Sequence, residues 1–352
     1  MIPLLLCIII WSLISITIFI FIYNYITNIY FYNYKAQLKI DSKSSLFPFR
    51  YFQDIKGNIL PFVAVTGFFR SKEMVKKYYE YVNNNINVFG ITAYKTFPKE
   101  FNIIDKSEGV YINNQEFNYV KNIKNWLCCF NEPKEYGFTN ENNLIDMSES
   151  DFYDINLNLV NNKKYDFIYI CLKDNDNCPR NGWNAINRNF DLALKCFPIM
   201  VNEFGMNGLV VGRVNCNLEE KFNGKIEVVD ALDYHILQEK MAQSKFLFVP
   251  NIYDASPRVV SECLIKNVPV LMNKNIVCGS KYINYETGEL FTNESDIKFA
   301  LINLMSKLDK ISPQKWWREN YGKDISEKKL CVFLKNAFPN TLDNIENVQF
   351  VL

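Results

Sequence analysis

Short apolar runs alternate with amphipathic stretches along the second half of the chain, and this alternation limits the possible folds more than any other feature. Tyr165–Leu172 (YDFIYICL) is almost continuously apolar, as in a strand that is buried on both faces. Further strands are predicted at 208–212, 226–229, 246–250 and 268–272, and helices at 183–197, 234–244 and 258–266. Strands and helices in alternation predict a parallel, doubly wound sheet, on which ligands bind beyond the carboxyl ends of the strands.

The first half carries a weaker version of the same pattern. Leu60–Val65 predicts a strand, Ser71–Val82 an amphipathic helix capped by its serine, and Asn87–Thr92 a second strand. The turn Gly67–Arg70 (GFFR) either faces a cleft or is an ordinary strand-to-helix turn. The pieces between residues 95 and 160 cannot be ordered from the sequence. With 352 residues the chain has room for two domains, so the predicted class is α/β with two domains.

An uncharged apolar run occupies the N-terminal region. Leu4–Ile22 supplies 19 residues, close to the roughly 20 that a membrane-spanning helix needs, and a tyrosine-rich cluster follows it. No basic region precedes the run and no small-residue cleavage site follows it, which favours an uncleaved single-pass anchor over a signal peptide. The nearest charges lie downstream, beginning at Lys35, and favour a cytosolic catalytic domain. The sequon at Asn293 is compatible with a lumenal face.

Composition excludes several classes of function. A net charge of +1 is too small for a general nucleic-acid binder, and a single histidine, His235, excludes multi-histidine metal sites and serine–histidine–aspartate triads. The ten cysteines contain no CxxC pair, which argues against zinc. Their scattered, mostly apolar contexts predict buried free thiols in a reducing compartment.

The stretch from Phe246 to Phe291 carries the candidate chemistry. A buried strand ends at Pro250, a loop carries Asp254, and Ser256-Pro257 is predicted to open a helix with the serine as its cap. The free amides of a first helical turn favour an anion. Glu262 lies about one turn into this helix, where its carboxylate can accept hydrogen bonds from ligand hydroxyls.

An acidic residue followed by seven residues and a glutamate, here Asp254 and Glu262, resembles the donor-binding motif of GT-B glycosyltransferases of the retaining group 1, family 4 type. Upstream, YDFIYICL, the loop Lys173–Trp183, GLVVG and the segment to Pro250 are similar to the elements of that domain in the correct order. Two departures stand out. Ala255–Arg258 replaces the family's glycine-rich segment, and no histidine lies where the acceptor domain of the family has one.

The resemblance implies a role for each candidate residue. Glu262 would hold the ribose of a nucleoside-diphosphate sugar, and Asp254 would contact the transferred sugar. Arg180 and Lys173 would stabilise the charge that develops on the leaving diphosphate, aided by Ser256, Pro257 and Arg258 at the helix N-terminus. The family needs neither a metal nor any other cofactor.

The resemblance further implies two Rossmann-like domains, the first short and divergent, and retaining transfer of a hexose to a glycan, lipid or protein acceptor. A membrane-tethered protein of this fold that binds nucleotide or glycan without turnover is the alternative. A dinucleotide-dependent enzyme is disfavoured because no Gly-x-Gly-x-x-Gly follows a strand.

The predicted domain limits follow from these features. The anchor occupies residues 1–34, a tether 35–59, the first, acceptor domain 60–160 and the nucleotide-sugar-binding domain 161–310. Helices over 311–352 are expected to return to the first domain, as in other GT-B enzymes, and to place Trp316, Trp317 and Tyr321 between the domains.

Overall fold

The computed structural model describes residues 16–23, 47–54, 56–92, 97–98, 117–154, 162–254, 256–339 and 349–350. Within these ranges the chain forms two α/β domains, each built on a six-stranded sheet. The predicted α/β class is therefore confirmed.

The first sheet combines a parallel part with an antiparallel edge. Strands β2 to β5 are parallel neighbours in chain order, whereas β1 is antiparallel to β2 and to β12. The strands are β1 (Phe49–Gln53), β2 (Ile59–Val65), β3 (Asn87–Ile91), β4 (Asn125–Leu127), β5 (Asn143–Ile145) and β12 (Gln349–Phe350). Helices α1 (Lys72–Asn83) and α2 (Tyr119–Asn122) belong to the same domain. The Ser71 hydroxyl accepts the Met74 N–H at 3.4 Å, so the predicted cap of α1 is confirmed.

The second sheet is entirely parallel, with the order β11-β10-β9-β6-β7-β8. Its strands are β6 (Tyr165–Ile170), β7 (Gly208–Val211), β8 (Ile226–Val229), β9 (Ser244–Val249), β10 (Val270–Asn273) and β11 (Gly288–Phe291). The helices between and after them are α3 (Trp183–Asn187), α4 (Phe190–Pro198), α5 (Leu218–Lys221), α6 (Tyr234–Ala242), α7 (Arg258–Leu264) and α8 (Ile297–Lys307). When the strands are numbered within this domain alone, their order is that of a Rossmann fold. The order reverses direction between β6 and β9.

Both faces of the second sheet are covered, as its continuous apolar strands require. Phe167 and Phe246 pack on one face, and the alternate residues Ile168 and Leu247 pack on the other. Each of these four side chains is at most 1% exposed. The run YDFIYICL is apolar because neither face of β6 meets water.

The C-terminal helices connect the two domains. Helix α9 (Pro313–Asn320) places Trp317 in the core of the second domain, where its indole N–H donates to the Tyr153 carbonyl at 3.1 Å. Helix α10 (Lys323–Ala337) packs Leu330 and Leu334 against the first sheet, in one cluster with Phe62.

A buried carboxylate lies where these segments meet. Asp151 accepts hydrogen bonds from the Tyr282 hydroxyl and, at 3.1 Å, from the Lys281 ammonium. Its carbonyl accepts from the Ser326 hydroxyl at 2.7 Å and from the Gly322 amide at 2.9 Å. Asp151 therefore ties the end of the first domain to the second domain and to α10.

The first domain begins earlier than the sequence pattern indicates. Residues 49–53 lie within the predicted tether but form β1, which pairs with β2 through Arg50 and Ala64. Phe49, Tyr51 and Phe52 are buried there. The strand is short and interrupted by polar residues, so periodicity alone does not detect it. Residues 35–46 of the tether lie outside the described residues.

The predicted anchor over residues 1–34 also lies outside the described residues, except for 16–23. These eight residues are helical and exposed; Phe19 is 71% and Phe21 74% exposed. Among the helices that the structure describes, none is long and apolar enough to cross a bilayer.

The expectation of free thiols holds for seven cysteines, all buried, but is wrong for one pair. Cys178 and Cys216 form a disulfide across 38 residues of sequence, with their Cα atoms 5.3 Å apart. They lie in the loops that follow β6 and β7, two neighbouring strands, and this proximity is not visible in the cysteine spacing.

Candidate functional site

The candidate residues gather where the strand order of the second sheet reverses. Strands β6 and β9 are hydrogen-bonded neighbours, yet the loops that leave them connect to helices on opposite sides. The two loops diverge and leave a crevice beyond the carboxyl ends of the strands. Asp254 comes from the loop after β9, and Arg188 from the turn that follows α3 on the β6 side.

Asp254 is held from three directions. Its carboxylate forms an ion pair with the Arg188 guanidinium and accepts the Asn251 side-chain amide at 3.2 Å. The Ser256 backbone N–H donates to its other oxygen at 3.2 Å. The Asp254 side chain is only 12% exposed, so its position is well defined without a ligand.

Arg188 reaches Asp254 because the chain turns sharply after α3. Asn189 adopts a left-handed conformation with φ of 48°, which asparagine tolerates better than most residues. Its side-chain amide donates to the Pro250 carbonyl at the end of β9, at 3.1 Å. Burial lowers the pKa of Arg188, and the nearby Arg258 guanidinium acts in the same direction. Arg188 thus pairs with Asp254 close to a second cationic group, Arg258.

Glu262 lies one turn into α7 and is 7% exposed. Burial raises the pKa of its carboxyl group, while a hydrogen bond from Gln238 counteracts this effect. The Gln238 amide donates to the carboxylate at 3.1 Å. Among the described residues, the Gln238 side-chain oxygen has no hydrogen-bond partner. A buried acceptor next to a buried carboxylate is suited to a ligand that donates hydroxyl hydrogens.

Helix α7 begins at Arg258, as predicted, but without the predicted serine cap. Pro257 precedes its first residue, Arg258, and Ser256 is not its side-chain cap. The Ser256 hydroxyl instead lies 2.8 Å from the Ser150 hydroxyl, from the segment that joins the domains. The backbone turns before the serine can reach the helix amides, so the predicted Ser256 cap is wrong.

A cavity of about 300 Å³ lies in front of this helix, between the two domains. Its lining residues come from both sheets and the joining segment: Phe47, Arg50, Thr66, Thr92, Glu149, Ser256 and Arg258. The first domain contributes residues at the carboxyl ends of β2 and β3, so the cavity lies between the ligand-binding edges of two sheets.

Arg180 and Lys173 lie apart from this group. The Arg180 side chain is 60% exposed and pairs with Asp191. Lys173 is 42% exposed and pairs with Asp230 at 3.3 Å and Asp176 at 3.6 Å. Among the described contacts, neither cation touches Asp254 or Glu262.

The loop that carries these two cations is held in place by its own contacts. Asp174 accepts the Asn184 and Ala185 amides of α3 at 2.6 and 3.1 Å, and pairs with the fully buried Arg213 at 3.0 Å. The Cys178–Cys216 disulfide adds a covalent link to the loop after β7.

Sequence reasoning missed Arg188, Gln238 and Arg213. The sequence contains one signal for Arg188: the polar pair Arg188-Asn189 interrupts the apolar stripe between α3 and α4. Gln238 and Arg213 give no comparable signal, because their partners are 24 and 39 residues away. Across the described part of the chain, no group of three or more histidine, cysteine, aspartate or glutamate side chains could hold a metal ion.

Comparison with known proteins adds information on the fold. No protein-family model matches the sequence. No curated protein matches it either. Among solved structures, the lipopolysaccharide outer core galactosyltransferase WaaB superposes with a TM-score of 0.54 at 11% identity, covering 75% of this chain and 79% of WaaB. A glycosyltransferase from Rickettsia africae gives 0.50 at 15% identity, covering 79% and 77%.

Larger proteins match over part of their length. TarM of S. aureus gives a TM-score of 0.51 at 14% identity, covering 73% of this chain. The chain spans about half of TarM, 53% of its length. At these identities the likeness shows the fold alone: the chain has the GT-B fold, the two-domain architecture of these glycosyltransferases.

Proposed function

We propose that this protein is a glycosyltransferase that moves a hexose from a nucleoside-diphosphate sugar to an acceptor bound between its domains. The observation that carries the proposal is the arrangement of Asp254, Glu262, Arg188 and Arg258 around the crevice between β6 and β9. The GT-B fold supports it, because the matching structures are named as glycosyltransferases.

Glu262 is suited to bind the donor ribose. A buried carboxyl group with one oxygen held by Gln238 has lone pairs left for ligand hydroxyls. The raised pKa of the carboxyl group reflects incomplete solvation, which two ribose hydroxyls would relieve. Glu262 is therefore assigned to ribose recognition.

The leaving diphosphate needs cationic groups that are in position before the reaction. Breaking the sugar–phosphate bond develops negative charge on the diphosphate, and preorganised donors stabilise it. We assign this role to Arg188, which pairs with Asp254, and to Arg258, which lies close enough to Arg188 to lower its pKa. Arg180 and Lys173, which the sequence predicts for this role, would first have to leave their ion pairs with Asp191 and Asp230.

Asp254 is assigned to contact the transferred sugar. Its carboxylate lies at the mouth of the crevice and retains limited exposure for a sugar hydroxyl. Transfer with retention of configuration and without a metal ion is part of the proposal, and it rests on the acid-x7-Glu resemblance. A metal-independent enzyme should keep full activity in EDTA and gain none from added Mg²⁺ or Mn²⁺.

The N-terminal anchor is also retained as a proposal. Residues 16–23 expose a helix of apolar and aromatic side chains, and an apolar solvent such as a bilayer would cover them. Expression of the full chain followed by carbonate extraction tests this assignment. Recovery in the membrane pellet supports it, and full release into the soluble fraction contradicts it.

A second candidate is a protein of this fold that binds nucleotide without turnover. The ion pair between Arg188 and Asp254 favours it, because both groups already satisfy each other in the absence of ligand. Donor hydrolysis distinguishes the enzyme from the protein that only binds nucleotide. A panel of UDP- and GDP-sugars is incubated with the full chain, and release of nucleoside diphosphate is followed over time.

Hydrolysis of one donor above the background of a Glu262→Gln variant supports the enzyme. Binding of UDP or GDP by calorimetry with no hydrolysis or transfer supports the binding protein. Absence of both contradicts the site assignment.

A further inference from the structure

The wall of the cavity that belongs to the first domain carries a cation that the donor site does not account for. Arg50 lies on β1, opposite Ala64 of β2. Because β1 runs antiparallel to β2, the beginning of β1 lies at the carboxyl end of β2, where Thr66 also lines the cavity. Arg50 therefore faces the cleft from the side opposite α7.

A second arginine of the first domain lies at the rim. The Arg70 guanidinium carbon is 4.8 Å from the centre of the Phe47 ring, and Phe47 lines the cavity. Arg70 ends the Gly67–Arg70 turn, which the sequence left open as either a cleft-facing segment or an ordinary turn. Stacking on an aromatic face restrains a guanidinium and leaves its edge free to donate hydrogen bonds.

Charge around the cavity is not balanced by the protein. Among the described residues, no carboxylate lies within 4 Å of Arg50, Arg70 or Arg258. Three other arginines do form ion pairs: Arg180, Arg188 and Arg213. Glu149 is the one acid in the cavity lining. An arginine in a cleft without a partner carboxylate is suited to an anionic ligand, since its planar fork matches carboxylate and phosphate oxygens.

Hydroxyl groups accompany these cations. Thr66 and Thr92 follow β2 and β3 directly and are 4% and 1% exposed. Each hydroxyl lies near a carbonyl of its own domain, Thr66 at 3.1 Å from Pro48 and Thr92 at 3.5 Å from Leu127. The two threonines thus add buried hydroxyl groups to the cavity that Arg50 also lines.

We propose that the acceptor is anionic, carrying a phosphate or carboxylate group that Arg50 and Arg70 bind on the wall of the first domain. This inference rests on the proposed function, because it names the second substrate of that reaction. The donor diphosphate is the other anion that could approach Arg50, and the test separates the two.

The experiment titrates the full chain, saturated with UDP, with glucose, glucose 6-phosphate and glucuronate by calorimetry. UDP occupies the donor diphosphate site, so a charged probe reports on the remaining cations. We expect both charged probes to bind roughly tenfold or more tightly than glucose, in line with the strength of charged hydrogen bonds. Raising the ionic strength should reduce this preference.

Variants locate the binding group. Arg50→Gln should abolish the preference for the charged probes, Arg70→Gln should reduce it, and Arg50→Lys should restore part of it. UDP affinity measured without a probe should stay unchanged in all three. Arg318→Gln, an exposed change on α9, is the matched control and should change neither quantity.

Two results would overturn the inference. Binding of the charged probes no tighter than glucose removes the evidence for an anionic acceptor. Loss of UDP affinity in Arg50→Gln assigns Arg50 to the donor instead. If UDP itself does not bind, the proposed function fails, and the same probes titrated into the free protein still decide whether Arg50 holds an anion.

Discussion

At the scale of single residues, the pair Glu262 and Gln238 is the most specific feature of the site. The carboxylate is buried, its pKa is raised by burial, and one neutral amide supports its charge. The Lys266 ammonium binds the Glu262 backbone carbonyl at 2.8 Å rather than the carboxylate. Lys266 is itself buried, so its removal would disturb α7 and would not serve as a neutral control.

Glu262→Gln should weaken nucleoside diphosphate binding by about 1.5–3 kcal/mol, the usual contribution of hydrogen bonds to a charged group. The change keeps the shape of the side chain and one acceptor oxygen, but removes the charge. Calorimetric titration with UDP and GDP measures this loss of binding free energy. Glu239→Gln, an exposed change on the neighbouring helix α6, is the control and should bind as the parent does. Equal affinities in all three proteins would contradict the assignment.

Gln238→Leu should make nucleotide-sugar binding more sensitive to acid. The amide stabilises the ionised form of Glu262, so its loss raises the pKa of the carboxyl group further. The protonated form is a weaker acceptor of ribose hydroxyls than the carboxylate, and affinity therefore falls as the pH falls through this pKa. We expect the midpoint of that fall to move to higher pH, because the lost amide no longer lowers the pKa of Glu262. A pH series of titrations measures it; an unchanged midpoint would show that Gln238 does not support the charge.

At the scale of secondary-structure elements, the loops after β6 and β9 divide the cations into two sets. Arg188 meets Asp254 in the crevice, whereas Arg180 and Lys173 remain in exposed ion pairs. Exposed pairs of this kind contribute little to stability and are screened by salt. Only the first set lies in the crevice to which the proposed function assigns the leaving diphosphate.

Arg188→Gln should lower donor turnover by roughly a hundredfold, the typical cost of losing one preorganised contact to a developing charge. Affinity for the nucleoside diphosphate should fall less, because the charge is largest in the transition state. Arg180→Gln is the matched variant, and we expect it to retain most of the turnover. The opposite ranking in hydrolysis rates would return the role to Arg180, as the sequence predicts.

Sequence reasoning found those features whose parts lie close together along the chain. The run YDFIYICL identified β6, and Asp254 with Glu262 was found because one strand, loop and helix carry both. Arg188 was missed because its partner lies 66 residues away, and only the fold brings the two together. Strand β1 was missed because it is short and interrupted by polar residues, and because Phe52 packs against Phe89, 37 residues away along the chain.

The cysteine pair shows the same limitation. Cys178 and Cys216 become neighbours only once β6 and β7 are paired, and nothing in their spacing indicates it. Arg50 lines the cavity, but it belongs to the segment that the sequence predicts as a tether, so nothing in the sequence places it in a cleft.

At the scale of the whole molecule, α10 contributes to the core of the first domain from the far end of the chain. Leu334 is fully buried in one cluster with Phe62 and Leu330, while Val332 on the opposite face is 59% exposed. The domain is therefore assembled from two distant parts of the chain.

Leu334→Ala should lower the free energy of unfolding by about 2–5 kcal/mol, as for other large-to-small changes in a packed core. Val332 lies two residues away in the same helix, and Val332→Ala should change the free energy of unfolding by less than about 0.5 kcal/mol. Chemical denaturation followed by circular dichroism compares the two. If both variants unfold at the same denaturant concentration as the parent, α10 is not part of the core of the first domain.

The return of the chain to the first sheet also sets an order of events during synthesis. All six strands of the second sheet lie between Tyr165 and Phe291, so this sheet can assemble once that stretch and Trp317, which completes its core, have left the ribosome. The first sheet must wait longer, since its cluster needs Leu330 and Leu334, and β1 needs Phe350 as a partner. The half of the cleft translated first is thus the half completed last, so the face proposed for the donor should form before the face proposed for the acceptor.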